Sequence, residues 1–125
     1  MRLVLKFTLV LLFFIFVQAL QSCRHEPTIP EKQVSFSADV VPLLIKGCQM
    51  VGCHGASGGD FALVTYKDVI EDDRAVPNQP YQSKIYKTIV SQVKAKVMPV
   101  PPRKPLTETE IETIFIWIKQ GALNN

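Results

Sequence analysis

The chain has 125 residues, which is enough for one folded domain once a targeting segment is set aside. It carries 14 basic and 11 acidic residues, and two of the basic ones, Arg2 and Lys6, precede the folded part. Without them 12 basic residues stand against 11 acidic ones, so the composition gives no support for nucleic-acid binding, which requires a concentrated basic surface.

The first 22 residues have the features of a secretory signal peptide. Arg2 and Lys6 form a short basic start, and residues 9–17 are then an unbroken apolar run. A membrane-spanning helix needs roughly 20 apolar residues, whereas Lys6 and Gln18 interrupt the longer windows that can be drawn here. We therefore predict export with residues 1–22 as the signal. An uncleaved membrane anchor is the alternative.

The signal ends in Leu20-Gln21-Ser22-Cys23. This tetrapeptide resembles the bacterial lipobox, in which a diacylglycerol is attached to the cysteine before cleavage on its amino side. The resemblance implies a lipidated Cys23 as the first residue of the mature protein, and two or more acyl chains anchor a protein stably. The expected location is therefore the envelope of a Gram-negative-type bacterium, periplasmic or at the outer membrane. A free or disulfide-bonded cysteine is the alternative.

Residues 23–33 are predicted to be a flexible tether. The segment 24–33 contains two prolines, mixed charge and a single apolar residue, Ile29. Such a composition cannot bury enough surface to offset its own ordering entropy. The folded domain is accordingly assigned to residues 34–125.

Four helical segments are predicted in this domain, and no run alternates as a strand would. The first covers residues 37–46, with Ser37 or Asp39 as its cap and Pro42 tolerated only near the first turn. The second covers residues 66–70 after the capping residue Thr65, and the third covers residues 83–93. The pattern predicts an all-α domain.

The fourth predicted helix carries the clearest signals. Thr107 and Glu110 form a capping box at its start, and Gly121 ends it. Its apolar stripe has helical spacing and consists of Ile111, Ile114, Phe115 and Ile118.

A pair of cysteines followed directly by a histidine lies at residues 48–54, CQMVGCH. Covalent haem attachment requires this arrangement, because each thiol adds to one vinyl group and the adjacent imidazole is then held against the iron. The usual spacing is C-x-x-C-H, whereas four residues separate Cys48 from Cys53. Gly52 makes the wider loop easier to form. The alternatives are a disulfide, a zinc site without an obvious fourth ligand, and a surface position for His54.

Met98 is the candidate ligand for the other face of the iron. A low-spin electron carrier needs a second axial ligand, most often His or Met. Met1 leaves with the signal, Met50 lies within the attachment loop, and the only other histidine, His25, lies in the tether. Met98 is 44 residues beyond His54, in a proline-rich segment that presents it at little ordering cost. The alternative is that it fills a gap in the core.

Residues 34–125 resemble a c-type cytochrome domain of the planctomycete and Bacteroidetes type, whose haem motif has an expanded spacing. The resemblance rests on the haem motif, the Met98-Pro99 loop and several flanking stretches, namely residues 34–37, 83–86, 106–107, 117–118 and 121–122. It implies a small cytochrome c-like fold around one covalently attached haem c. His54 would be the proximal ligand and Met98 the distal one. The first and last helices would cross, with Phe36 facing Phe115 or Trp117.

Charge is unevenly distributed around Met98. No acidic residue occurs between Asp73 and Glu108, whereas seven basic residues do: Arg74, Lys84, Lys87, Lys94, Lys96, Arg103 and Lys104. A positive haem edge would steer redox partners with acidic docking surfaces. An ordinary solvated face is the alternative.

The predicted function is single-electron transfer by a lipid-anchored monohaem cytochrome. No dedicated acid, base or nucleophile is visible, so the chain is predicted to be an electron carrier and not an enzyme, although it could serve an oxidoreductase. The alternative function is a non-redox lipoprotein module for binding or scaffolding, stabilised by a Cys48–Cys53 disulfide.

Overall fold

The computed structural model describes residues 26–50, 52–57, 61–93 and 96–125. These residues form no strand and four α-helices, which are α1 (Val41–Gly47), α2 (Tyr66–Ile70), α3 (Lys84–Ile89) and α4 (Glu108–Lys119). A π-helical turn, Phe36–Val40, runs directly into α1. Short 3₁₀ turns, Glu71–Asp73 and Pro80–Gln82, follow α2 and precede α3. The prediction of an all-α domain with four helices is confirmed.

No helix in the described ranges is both long enough and apolar enough to cross a bilayer. The predicted signal peptide, Cys23 and His25 fall outside those ranges.

The first helical segment begins at Phe36, one residue earlier than the sequence predicted, and the predicted caps are wrong. Ser35 is the cap, with its hydroxyl accepting from the Ala38 N–H. Asp39 instead reaches back and accepts from the Ser35 N–H at 2.8 Å. Pro42 lies in the first turn of α1, where a residue without an N–H is tolerated.

The third helix is shorter than predicted, because α3 ends at Ile89 and not at residue 93. The residues at the observed end of α3 are β-branched, and β-branched residues favour a helix less than straight-chain residues do. At the other end of α3, the preceding residue Ser83 is fully buried, and its hydroxyl donates to the Gln79 carbonyl at 3.0 Å.

The core is built around α4. Trp117 is buried against Phe36, with ring centroids 5.4 Å apart, so the predicted contact between the first and last helices is made by Trp117. Phe115 points into a second aromatic group with Tyr81 and Tyr86, at centroid distances of 5.5 and 5.2 Å. Helix α4 therefore has buried aromatic side chains on two faces, which is why its residues 114–118 are all buried.

The predicted capping box of α4 is present. The Thr107 hydroxyl accepts from the Glu110 N–H, and the Glu110 carboxylate accepts from the Thr107 N–H at 2.8 Å. Lys46 of α1 also donates to Glu110 at 2.6 Å. The Lys46 hydrogen bond, and then the Thr107 N–H, lower the pKa of Glu110 below its ordinary value of 4.5. The stabilisation is thus present above pH 4.5 and is lost as the pH falls through the lower, folded-state pKa.

Replacing Thr107 by alanine should lower the free energy of unfolding by about 1 kcal/mol, because the first turn of α4 loses its side-chain cap. Urea denaturation followed by circular dichroism measures this. Thr109→Ala is the matched control, since Thr109 is exposed in the same turn and caps nothing with its side chain. Equal losses in the two variants would contradict a capping role.

Residues 26–33 lie along α4. The Gln120 side chain donates to the carbonyls of Pro30 and Lys32, both at 3.1 Å, and accepts from the Val34 N–H at 2.8 Å. Lys119 and Glu26 form an ion pair at 3.3 Å. These contacts place the start of the folded domain beside the end of its last helix.

Candidate functional site

A cavity with a mainly apolar lining lies between three parts of the described chain. The first is the stretch that follows α1, which contributes Cys48, His54, Phe61 and Leu63. The second is the turn after α2 together with α3, and the third is Met98. Three of the four residues predicted to hold the haem and its iron, Cys48, His54 and Met98, therefore meet at one cavity.

The loop that carries the cysteines closes on itself through backbone hydrogen bonds. The Cys53 N–H donates to the Met50 carbonyl at 2.9 Å, and the His54 N–H donates to the Cys48 carbonyl at 3.1 Å. Gly52 has a φ of +79°, a left-handed conformation that glycine adopts without steric cost. The four-residue spacing is thereby folded into a tight turn that keeps both cysteines next to His54.

His54 is held by the segment 61–63 in three ways. Its Nδ1 donates to the Phe61 carbonyl at 3.1 Å, and its ring stacks on the Phe61 ring with centroids 4.3 Å apart. Its own carbonyl accepts from the Leu63 N–H at 2.7 Å. Because a carbonyl only accepts, Nδ1 carries a proton, and in the neutral imidazole Nε2 is then the nitrogen with the lone pair. An imidazole fixed through one nitrogen and free at the other is the form that ligates metals.

Gln49 ties the loop to the same segment, and Gly55 allows the loop to close on itself. The Gln49 side chain donates to the Leu63 carbonyl at 2.6 Å. A Cβ at Gly55 would approach the Gln49 carbonyl oxygen to 2.8 Å, so only glycine allows the loop to close here. The position of His54 thus depends on close backbone packing as well as on its own hydrogen bond.

The two cysteine thiols differ in their surroundings. Burial raises the pKa of Cys48 to about 11, and the nearby Cys53 adds to the rise. Cys48 is therefore a neutral thiol in an apolar environment, which suits conversion into an uncharged thioether. Cys53 is half-buried and is not among the described residues that line the cavity; its sulfur accepts a hydrogen bond from Arg103 at 2.8 Å. Both thiols are free.

Met98 is half-buried, and α3 holds its backbone. The Met98 N–H donates to the Thr88 carbonyl at 3.4 Å, and Thr88 itself lines the cavity. Pro99 is buried, and a Cβ at Gly47, the last residue of α1, would lie 3.7 Å from it. The Met98 segment is therefore placed between the end of α3 and the end of α1.

The donor set fits a covalently attached haem. An imidazole with a free Nε2 and a soft thioether adjoin the same apolar cavity, and one free thiol lines it with the second close by. These are the ligand types that bind haem iron in c-type cytochromes. In the described part of the chain, no group of three or more His, Cys, Asp or Glu side chains could hold a metal ion.

Comparison with known families supports the same assignment. Residues 51–102 match the family described as Planctomycete cytochrome C, and this match covers Cys53, His54 and Met98. This part of the chain is therefore similar to a c-type cytochrome, a family whose members carry a haem cofactor and transfer electrons. No curated protein and no solved structure matches the chain significantly.

Sequence reasoning did not find the contribution of Phe61. It lies in irregular chain seven residues after His54, and no periodicity marks it. Arg74 and Lys84 were noted only as members of a basic stretch, because their place in the cavity wall depends on how the turn after α2 meets α3.

Proposed function

We propose that the chain is an exported, lipid-anchored monohaem c-type cytochrome that carries single electrons between redox partners. The observation that carries this proposal is the meeting of Cys48, His54 and Met98 at one apolar cavity, with the His54 Nε2 left free by the bond from Nδ1 to Phe61. The match to a cytochrome family supports it independently.

The protein would orient the haem and enclose it in a pocket with few water molecules. A bound haem supplies an iron that alternates between its ferrous and ferric states. His54 and Met98 are the side chains we assign to its two axial positions, with Cys48 and Cys53 as the points of attachment. Leu63, Ile85 and Ile89 exclude water from the cavity wall, which favours the less charged, ferrous state of the iron.

A pyridine haemochrome spectrum together with an intact mass tests this proposal. Protein made in a host with a c-type maturation system should show the haem c spectrum and a mass increased by one haem. A colourless protein with the mass of the bare polypeptide would refute the cytochrome and leave the disulfide-stabilised binding module.

Basic side chains adjoin the proposed haem site on the side of Met98. Lys46, Arg103 and Lys104 line a groove with Met50 and Pro99, next to the thiol of Cys53. Opposite charge on a partner would speed encounter with this surface. We therefore propose that the docking partners are redox proteins with an acidic surface.

The proposed anchor predicts the behaviour of Cys23→Ser. Without the acylated cysteine, the domain should move from the membrane fraction to the soluble fraction, since the lipid supplies the apolar attachment. Fractionation followed by immunoblotting measures this. Cys53→Ser is the control and should stay with the membrane. Membrane retention of Cys23→Ser as tight as that of the parent would show that the apolar segment is itself the anchor.

A further inference from the structure

Two cations and one anion lie in the wall of the cavity away from the ligand residues. Arg74 and Lys84 are the cations, and Asp72 is the anion. None of them orders the cysteines or Met98. Of the three, only Arg74 is buried. A buried charge is costly to maintain unless it is well paired, so the placement of Arg74 points to a charged part of the occupant.

Arg74 is held rigidly. It is only 8% exposed, and its Nη1 donates to the Asp68 carbonyl at 2.8 Å. Its guanidinium lies 4.2 Å from the centroid of the Phe61 ring, the same ring on which His54 stacks. The charge of Arg74 is therefore fixed relative to the proposed iron ligand.

The guanidinium of Arg74 retains unused donors. Of its five N–H groups, one serves Asp68 and one serves the Asp72 carboxylate at 3.0 Å, and the Glu71 carboxylate lies 3.7 Å from Nη1. The side chains of Asp72 and Glu71 are 68% and 54% exposed, so both ion pairs are screened by water and contribute little. The remaining N–H groups of the planar guanidinium can donate to a further carboxylate.

Lys84 lies at the same end of the cavity. The Ile85 N–H donates to the Arg74 carbonyl at 3.0 Å, and this bond joins the first turn of α3 to the turn that carries Arg74. Lys84 is exposed, lines the cavity and forms no ion pair with any described residue.

We infer that Arg74 and Lys84 form the binding site for the propionate carboxylates of the haem. The inference rests on the proposed function, because it takes the occupant of the cavity to be a haem. The apolar walls suit the macrocycle, whereas its two carboxylates require cations. Arg74 also places a fixed positive charge against the ring on which His54 stacks, and such a charge would raise the reduction potential by disfavouring the ferric state.

The test uses the holoprotein and two measurements, the reduction potential and the resonance Raman bending band of the propionates, which moves when their hydrogen bonding changes. Arg74→Gln should shift the band and lower the potential, and Lys84→Gln should shift both in the same direction by less. Arg74→Lys should restore the potential but not the band, because the charge returns without the planar fork. Lys87→Gln, an exposed change on α3 outside the cavity wall, should leave the band unchanged.

The outcomes separate this inference from the proposal on which it rests. If the parent contains haem and the band in Arg74→Gln and Lys84→Gln coincides with that in Lys87→Gln, the carboxylate site is refuted. If Arg74→Gln fails to mature, the bands of Arg74→Lys and Lys84→Gln decide. A parent without haem refutes the proposed function instead.

Discussion

Replacing Met98 by alanine should open the iron to carbon monoxide and lower the reduction potential. The thioether is a soft ligand that favours ferrous over ferric iron, so its removal destabilises the reduced state. It also vacates one axial position. Carbon monoxide binding by the reduced variant, followed in the visible spectrum, measures the first effect. The weak red absorption from sulfur-to-iron charge transfer should disappear from the oxidised variant.

Met50→Ala is the matched control. Met50 lies in the cysteine loop, is exposed, and lines the basic groove and not the cavity. The iron in the reduced Met50→Ala variant should remain closed to carbon monoxide. The reverse result, with Met50→Ala open and Met98→Ala closed, would transfer the distal role to Met50. Ready binding by the parent would show five-coordinate iron and favour sensing or catalysis over electron transfer.

Removing both attachment cysteines should abolish covalent haem retention. In Cys48→Ser/Cys53→Ser no thioether can form, so acid-acetone should extract any haem and the intact mass should equal that of the bare polypeptide. Each single variant should keep at most one thioether, which leaves the haem resistant to extraction. Mass spectrometry before and after extraction measures both results.

Cys23→Ser is the control for this experiment, because it removes a cysteine that lies outside the haem motif. Its haem should remain through extraction as in the parent. Haem that survives extraction in the double variant would show that the attachment is not through Cys48 and Cys53.

The helix positions followed from sequence for α2 and α4, where a capping residue marks the start of the helix. Thr107 with Glu110 and Thr65 with Asp68 both form capping boxes, and α2 has the predicted bounds. The end of α3 was predicted too late, because the apolar spacing continues past Ile89 whereas the helical hydrogen bonding does not. The periodicity of apolar residues indicates which face of a helix is buried, but it does not indicate at which residue the helix ends.

The residues of the candidate site could be predicted where a short sequence motif carries the chemistry. Cys48, Cys53 and His54 are adjacent in sequence, and Met98 was identified by excluding the other methionines. The support for His54 was not predictable, because Phe61 acts through a backbone carbonyl and a ring contact, and every residue has a carbonyl. Such contacts depend on the path of an irregular segment, for which the sequence carries no repeating signal.

The hydrogen bonds from Gln120 to Pro30 and Lys32 bear on how far the domain would stand from a membrane that holds the proposed lipid anchor. Eight extended residues, 26–33, would span about 28 Å if they were free. Laid along α4, they add no such distance. A domain anchored at Cys23 would then stand close to the lipid headgroups with the end of α4 toward them. Its electron exchange would be restricted to partners within the same narrow layer of the envelope.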